Sequence, residues 1–149
     1  MDLLCGIDEA GRGPVFGPLV LCGVCFNEPD LNLMKQIGVK DSKKLSSKKR
    51  KDLAKIIKAT CIKYKVLVVS VEEIDQRETN RITMNRLEEL KMAEIINELK
   101  PDCIFIDAAD VNEDRFGKSI EQLLEFIPKK LISKHKADDI YPIVSAASF

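Results

Sequence analysis

Apolar residues fall along the chain in short continuous runs, separated by charged stretches with helical periodicity. Leu3–Asp8 is one such run, closing on an acid and followed by Gly-rich sequence, which predicts a buried strand with an exposed carboxyl end. Leu19–Phe26 predicts a second strand and the β-branched run Lys63–Val71 a third. Between them, Ser46–Thr60 places Leu53, Ile56 and Ile57 at helical spacing among lysines, with Ser46 or Ser47 as N-cap. Ile82–Leu99 predicts the clearest helix, with Leu87, Leu90, Ala93, Ile96 and Leu99 along one flank and Pro101 as its stop. Cys103–Ala108 reads as a fourth strand and again runs into an acid, Asp107. Glu113–Ile127 is amphipathic, with Asn112 as cap and Pro128 following, and Lys129–His135 is the last strand. After Pro142, the small residues Ser145–Ser148 read as the opening of another helix. Strands close together at the start, then alternating helices and strands, predict an α/β layer fold with a mixed central sheet flanked by helices. With no repeat, low-complexity segment or linker, residues 1–149 are expected to form one domain.

Composition narrows the class. At 45% hydrophobic and 32% charged, with seven Gly and six Pro, the chain is neither disordered nor collagen-like. No apolar run approaches the ~18 residues of a membrane span, and no basic segment precedes a hydrophobic one as in a secretory signal. Five cysteines, at 5, 22, 25, 61 and 103, are an odd number lying mostly in apolar runs, as expected of reduced thiols in a cytoplasmic protein. Cys22 and Cys25 match C-x-x-C, but no second pair completes a zinc site. Within a strand, their offset of three sends the two sulfurs to opposite faces.

The formal net charge of zero hides a division. Met34–Lys65 holds twelve Lys or Arg against two acids, a balance of +10, which leaves −10 on the remainder. A charge run taken alone is more often a solvated helix face than a binding surface. Beside a reactive site, however, a basic lobe is the electrostatic footprint of nucleic-acid binding.

The acids supply the candidate chemistry. Asp8 and Glu9 close the first strand, Asp107 the fourth, and Asp138 follows the last. Carboxylates at the ends of buried strands must be paired, hydrogen-bonded or coordinating, and such ends are where open α/β sheets bind ligands. Taken singly, each is as readily a loop residue or a helix cap. A patch of four would repel itself unless relieved by hard divalent cations, Mg²⁺ or Mn²⁺, and a pair of such ions suits phosphodiester hydrolysis. Gly11-Arg12-Gly13 allows close backbone approach to a ligand, with Arg12 available for phosphate, and such a loop suits recognition of a sugar hydroxyl. It lacks the spacing of a dinucleotide fingerprint, which ranks a phosphate-sugar enzyme on a doubly wound fold well below.

Four blocks then carry a resemblance. Gly6-Ile7-Asp8-Glu9-Ala10-Gly11-Arg12-Gly13-Pro14, continuing to Gly17-Pro18, resembles the signature of type 2 ribonuclease H, ribonuclease HII. Asp41-Ser42-Lys43-Lys44-Leu45-Ser46 is similar to its D-S-K-x-L-S segment, and Phe105-Ile106-Asp107 stands at its third acid. His135-Lys136-Ala137-Asp138, then Tyr141-Pro142-Ile143-Val144-Ser145-Ala146-Ala147-Ser148, resembles the fourth-acid block in its archaeal style.

The resemblance implies a ribonuclease H-like fold and two-metal hydrolysis of the RNA strand of RNA–DNA hybrids. It also implies incision of duplex DNA 5′ to embedded ribonucleotides, leaving a 5′-phosphate and a 3′-hydroxyl. Asp8, Glu9, Asp107 and Asp138 would be the catalytic, metal-binding acids. Gly11, Arg12 and Gly13 would read the 2′-hydroxyl, Lys43 would contact the phosphate beside the cut, and Ser145 or Ser148 the nucleic-acid backbone. His135 flanks the site in a supporting role, and Tyr141 is expected to pack rather than stack. The family continues past S-A-A-S with helices that supply a stacking tyrosine and, in archaeal members, often a tail for the sliding clamp. The chain is therefore expected to be C-terminally incomplete, a cytoplasmic monomer without the clamp tail. The alternative is a catalytically impaired, hybrid-binding fragment.

Overall fold

The computed structural model describes residues 2–10, 18–36, 46–108 and 112–135. Five strands form one sheet: β1 (Leu4–Ala10), β2 (Leu19–Phe26), β3 (Lys63–Val69), β4 (Cys103–Asp107) and β5 (Lys130–Lys134), in the order β3-β2-β1-β4-β5. β2 runs antiparallel to both β1 and β3, whereas β1, β4 and β5 are parallel, so the sheet is mixed. The helices are α1 (Glu28–Gln36), α2 (Ser47–Thr60), α3 (Val71–Thr79), α4 (Met84–Leu99) and α5 (Glu113–Gln122).

Alternation along the strands assigns the two faces. Cys5 and Ile7 of β1, Leu19, Leu21 and Cys25 of β2, and Ile104 and Ile106 of β4 join the main core with Leu87, Met92, Ile95, Ile96 and Leu99 of α4 and Phe116 and Ile120 of α5. The opposite face carries a smaller cluster, in which Val24 and Phe26 meet Met34 of α1 and Ile57 of α2, with Leu4, Cys22 and Phe105 packed against it. Two glycines permit close approach of helix to sheet. A Cβ on Gly23 would lie 2.7 Å from Ile95 Cγ2, and one on Gly117 would lie 2.9 Å from Ser133 Cβ.

Several predicted boundaries are corrected. The strand expected over Lys63–Val71 ends at Val69, because Ser70 caps α3: its Oγ accepts the Glu73 amide at 3.2 Å. Ser70-x-x-Glu73 has the spacing of a capping box, a signal hidden by the β-branched run before it. Helix α1 is also absent from the sequence expectation, although Asn27 caps it, accepting the Asp30 amide at 2.9 Å. Pro29 and the acids Glu28 and Asp30 then occupy its first turn, as helix starts favour. The helix expected over Glu113–Ile127 ends at Gln122, where Asn97 of α4 takes over the backbone, donating to Leu123 O at 3.2 Å and accepting from the Glu125 amide at 2.8 Å. Of the two candidate caps of α2, Ser46 is the one used, and α4 starts at Met84 behind Thr83. The helix expected to open at Ser145–Ser148 lies outside the described residues. Cys22 and Cys25 do face opposite sides of the sheet, and all five cysteines are free thiols.

Candidate active site

The parallel pairing of β1 with β4 brings the first acids together. Ile7 pairs with Ile106, so Asp8 and Asp107 each follow a paired residue by one position, side by side at the carboxyl edge of the sheet. Leu4 and Phe105 belong to the smaller cluster, and counting by twos from them puts both carboxylates on that same face. Asp8 is only 7% exposed, so its carboxylate is held largely out of water by the strand itself. Its Oδ1 accepts the Glu9 amide at 2.9 Å. Glu9 is adjacent in the strand and falls on the other face, beside the main core.

Opposite Asp8 in the antiparallel register lies Cys22. Burial, followed by the nearby Cys61 and Asp8, pushes this thiol up to about 11. The wall of the site on the β2 side is thus a protonated, weakly polar sulfur and adds no charge to the carboxylates.

The end of β5 is tied to the end of β4. The amide of Ala108, the residue after Asp107, donates to Lys134 O at 2.9 Å. From the first turn of α5, Glu113 grips the same place. Its Oε2 accepts the His135 amide at 2.8 Å and lies 3.5 Å from His135 Nδ1, while its Oε1 is 3.4 Å from Lys134 Nζ. The amide of His135 holds the Glu113 carboxyl below its ordinary range against the opposing effect of burial, with Lys134 adding to the lowering. Sequence reading gives Glu113 only as the start of a helix; its reach to the next strand depends on packing that spacing does not reveal. The sole histidine accordingly stands on Glu113.

Helix α2 projects the basic residues. Leu53 and Ile57 are buried, the latter in the smaller cluster, whereas Lys48, Lys49, Arg50, Lys51, Lys55 and Lys58 are exposed. This cationic surface lies on the sheet face that carries Asp8 and Asp107.

Gly11, Arg12, Gly13, Lys43, Asp138 and Ser145 lie outside the described residues, as do Tyr141 and Ser148. Among the described residues, no three His, Cys, Asp or Glu side chains gather as a metal site. β1 runs on to Ala10, so Asp8 lies within the strand rather than closing it, but Asp8 and Asp107 nonetheless fit a hard divalent cation in chemistry: two carboxylates on neighbouring strands, one of them buried. Among the described residues no helix is long and apolar enough to cross a membrane.

Comparison with known proteins agrees along the whole chain. A family model for Ribonuclease HII matches residues 5–149. A ribonuclease HII from Methanocella arvoryzae is 49% identical over 143 residues, covering 96% of this chain and 63% of the relative. One from Thermococcus sibiricus is 50% identical over 145 residues, with the same shares. The chain thus spans about 63% of the length of these curated relatives. The crystal structure of ribonuclease H2 from Pyrococcus horikoshii superposes with a TM-score of 0.89 at 41% identity, covering 98% of this chain and 68% of that one. The ribonuclease HII in a complex with PCNA from Archaeoglobus fulgidus gives 0.88 at 40%, covering 98% and 69%. The mixed five-stranded sheet with flanking helices is the ribonuclease H-like fold of these structures. By its sequence from residue 5 to 149 and by its fold, the chain belongs to the ribonuclease HII family.

Proposed function

We propose that this chain is the catalytic domain of a divalent-metal-dependent endoribonuclease. It hydrolyses the RNA strand of RNA–DNA hybrids and cuts duplex DNA 5′ to embedded ribonucleotides, leaving a 5′-phosphate and a 3′-hydroxyl. The observation that carries this reading is the placement of Asp8 and Asp107 on one sheet face of adjacent strands, each one residue past the Ile7–Ile106 pair, in a family named for ribonuclease activity.

Asp8 and Asp107 would offer carboxylate oxygens to the cation, together with Asp138, three residues past His135, whereas Glu9, expected among the ligands, stands on the other sheet face. Bound Mg²⁺ or Mn²⁺ supplies an activated water and stabilises the leaving oxygen. The backbone of Gly11, Arg12 and Gly13 recognises the 2′-hydroxyl, which separates RNA from DNA. Lys43 holds the phosphate beside the cut, Ser145 holds the backbone nearby, and the exposed cations of α2 draw in the duplex. Five free cysteines suit the reducing cytoplasm in which we place the protein.

The reading is tested by incubating the chain with a DNA duplex carrying one ribonucleotide, and with a long hybrid, in Mg²⁺ or Mn²⁺ and in excess chelator. Cleavage 5′ to the ribonucleotide that stops with chelator is expected. Salt-dependent binding with no cleavage in any metal would replace it with the hybrid-binding reading.

A further inference from the structure

Between α3 and α4, on the main-core side of the sheet, lies a cavity of about 190 Å³. Gln76, Arg77 and Asn80 line it from α3 and the turn that follows, and Leu87 and Leu90 line it from α4, each set at the three- or four-residue spacing of one helix face. The turn closes its floor. Arg81 takes a left-handed backbone with φ 58°, the Asn80 amide donates to Gln76 O at 3.1 Å, and the Ile82 amide donates to Arg77 O at 2.8 Å. These bonds fold the chain back over the end of the helix, so Ile82 joins Leu87 and Leu90 as an apolar floor.

The two cations at this cavity are unequally satisfied. Lys91 Nζ sits between Glu73 Oε1 at 3.3 Å and Glu94 Oε2 at 3.9 Å, so its charge is answered from both helices. Arg77, half-buried, forms no ion pair among the described residues, and its Nε is shielded from water with no hydrogen-bond acceptor. A charged donor in that condition is costly, and an anion set against the guanidinium fork relieves it. Gln76 and Asn80 add amide donors on the same wall. The remaining lining limits what the anion can be. Glu73 and Glu94 repel a second negative charge, and the aliphatic floor rewards hydrocarbon. The volume suits one small ring or branched chain, since a cavity of roughly 150 Å³ accommodates benzene.

We propose that this cavity binds a monocarboxylate carried on a compact apolar body, with the carboxylate on Arg77 and the hydrocarbon against Ile82, Leu87 and Leu90. A free organic acid and the carboxyl-terminal residue of a peptide both present that chemistry. The cavity belongs to the sheet face opposite Asp8 and Asp107 and shares no residue with the proposed nuclease site, so it stands or falls independently of that function.

The test is titration of benzoate into the full chain at constant ionic strength, followed by nitrogen-15 NMR of the backbone amides and of the Arg77 Nε–H group. Saturable shifts at Arg77 Nε–H, Ile82, Leu87 and Leu90 are expected, with a Kd of about 1 mM. R77Q is expected to weaken binding at least about tenfold and, having no ion pair to lose, to melt within a few degrees of the parent. Benzamide lacks the charge, acetate the apolar body, and sulfate carries a second charge; each is expected to bind about tenfold more weakly than benzoate or worse. Benzoate shifts that do not saturate, that spare Arg77 Nε–H or that persist unchanged in R77Q would overturn the proposal. Benzamide, acetate or sulfate binding as well as benzoate would also overturn it, and this series decides the matter even if R77Q fails to fold. The peptide Gly-Gly-Leu separates the two sources. Binding tighter than that of benzoate, and lost in its carboxyl-terminal amide, assigns the site to a peptide terminus, and weaker binding assigns it to a free organic acid.

Discussion

Asp8 is nearly buried because the strand that carries it is buried, and that same strand makes its partner acid predictable. Once β1 and β4 are parallel and Ile7 pairs with Ile106, Asp107 has no other place to be. Its neighbour Cys22 has consequences that can be measured. Folded, this thiol keeps its proton to about pH 11, whereas an unfolded one releases it near ~8.5. Its folded pKa is raised, and here the protonated form is the neutral one that burial favours. The folded state therefore holds the proton more tightly, and stability falls as the pH climbs from ~8.5 toward 11. Alkylation of Cys22, followed by mass spectrometry on the folded chain, is expected to accelerate only as the pH approaches 11. Rapid labelling at pH 8 would contradict this environment. Gly23, next along β2, is required by contact rather than by backbone conformation. A methyl group there meets the branched Ile95 side chain at 2.7 Å and Leu99 at 3.1 Å, so G23A is expected to cost about 1–3 kcal/mol in urea unfolding.

At the scale of elements, the sheet is legible in the sequence and two helices are not. Strand β2 can be read to the residue from its uninterrupted apolar run, α2 from helical spacing behind a serine cap, and α4 from helical spacing alone, its Thr83 cap emerging only in the structure. Helices α1 and α3 escape for a physical reason: each is nine residues, a length at which tertiary contact rather than periodicity holds a helix together. Their caps, Asn27 and Ser70, are the readable signal. The Glu113 interactions are illegible for a different reason, since they join a helix to a strand some twenty residues away. Helix α2 shows its task by what it leaves outside. If its exposed cations meet phosphates, the variant K48Q/R50Q/K51Q/K55Q should bind a hybrid more weakly. Its slope of log affinity against log salt should also flatten by about one for each phosphate it no longer neutralises. Parallel slopes for parent and variant would mean that α2 is merely solvated.

The whole molecule separates its charges as the chain does, a cationic helix over one sheet face and acids at the sheet's carboxyl edge. A net charge of zero is thus compatible with a polyanionic substrate. The same face bears a liability at its far side. Edge strand β3 exposes Tyr64, Val66 and Val68, the last to 63%. Such a row invites strand-to-strand association, so V66T/V68K is expected to lower light scattering in concentrated solution and to leave cleavage unchanged. The central claim is that Asp8 and Asp107, remote in sequence, act as one metal-holding unit. It is tested most directly by single-ribonucleotide cleavage with the parent, D8N, D107N and the double variant. The account predicts that each single change lowers the rate by at least about a hundredfold and that the double variant is no worse than either. A near-parental rate in either single variant, or losses that multiply in the double, would contradict it.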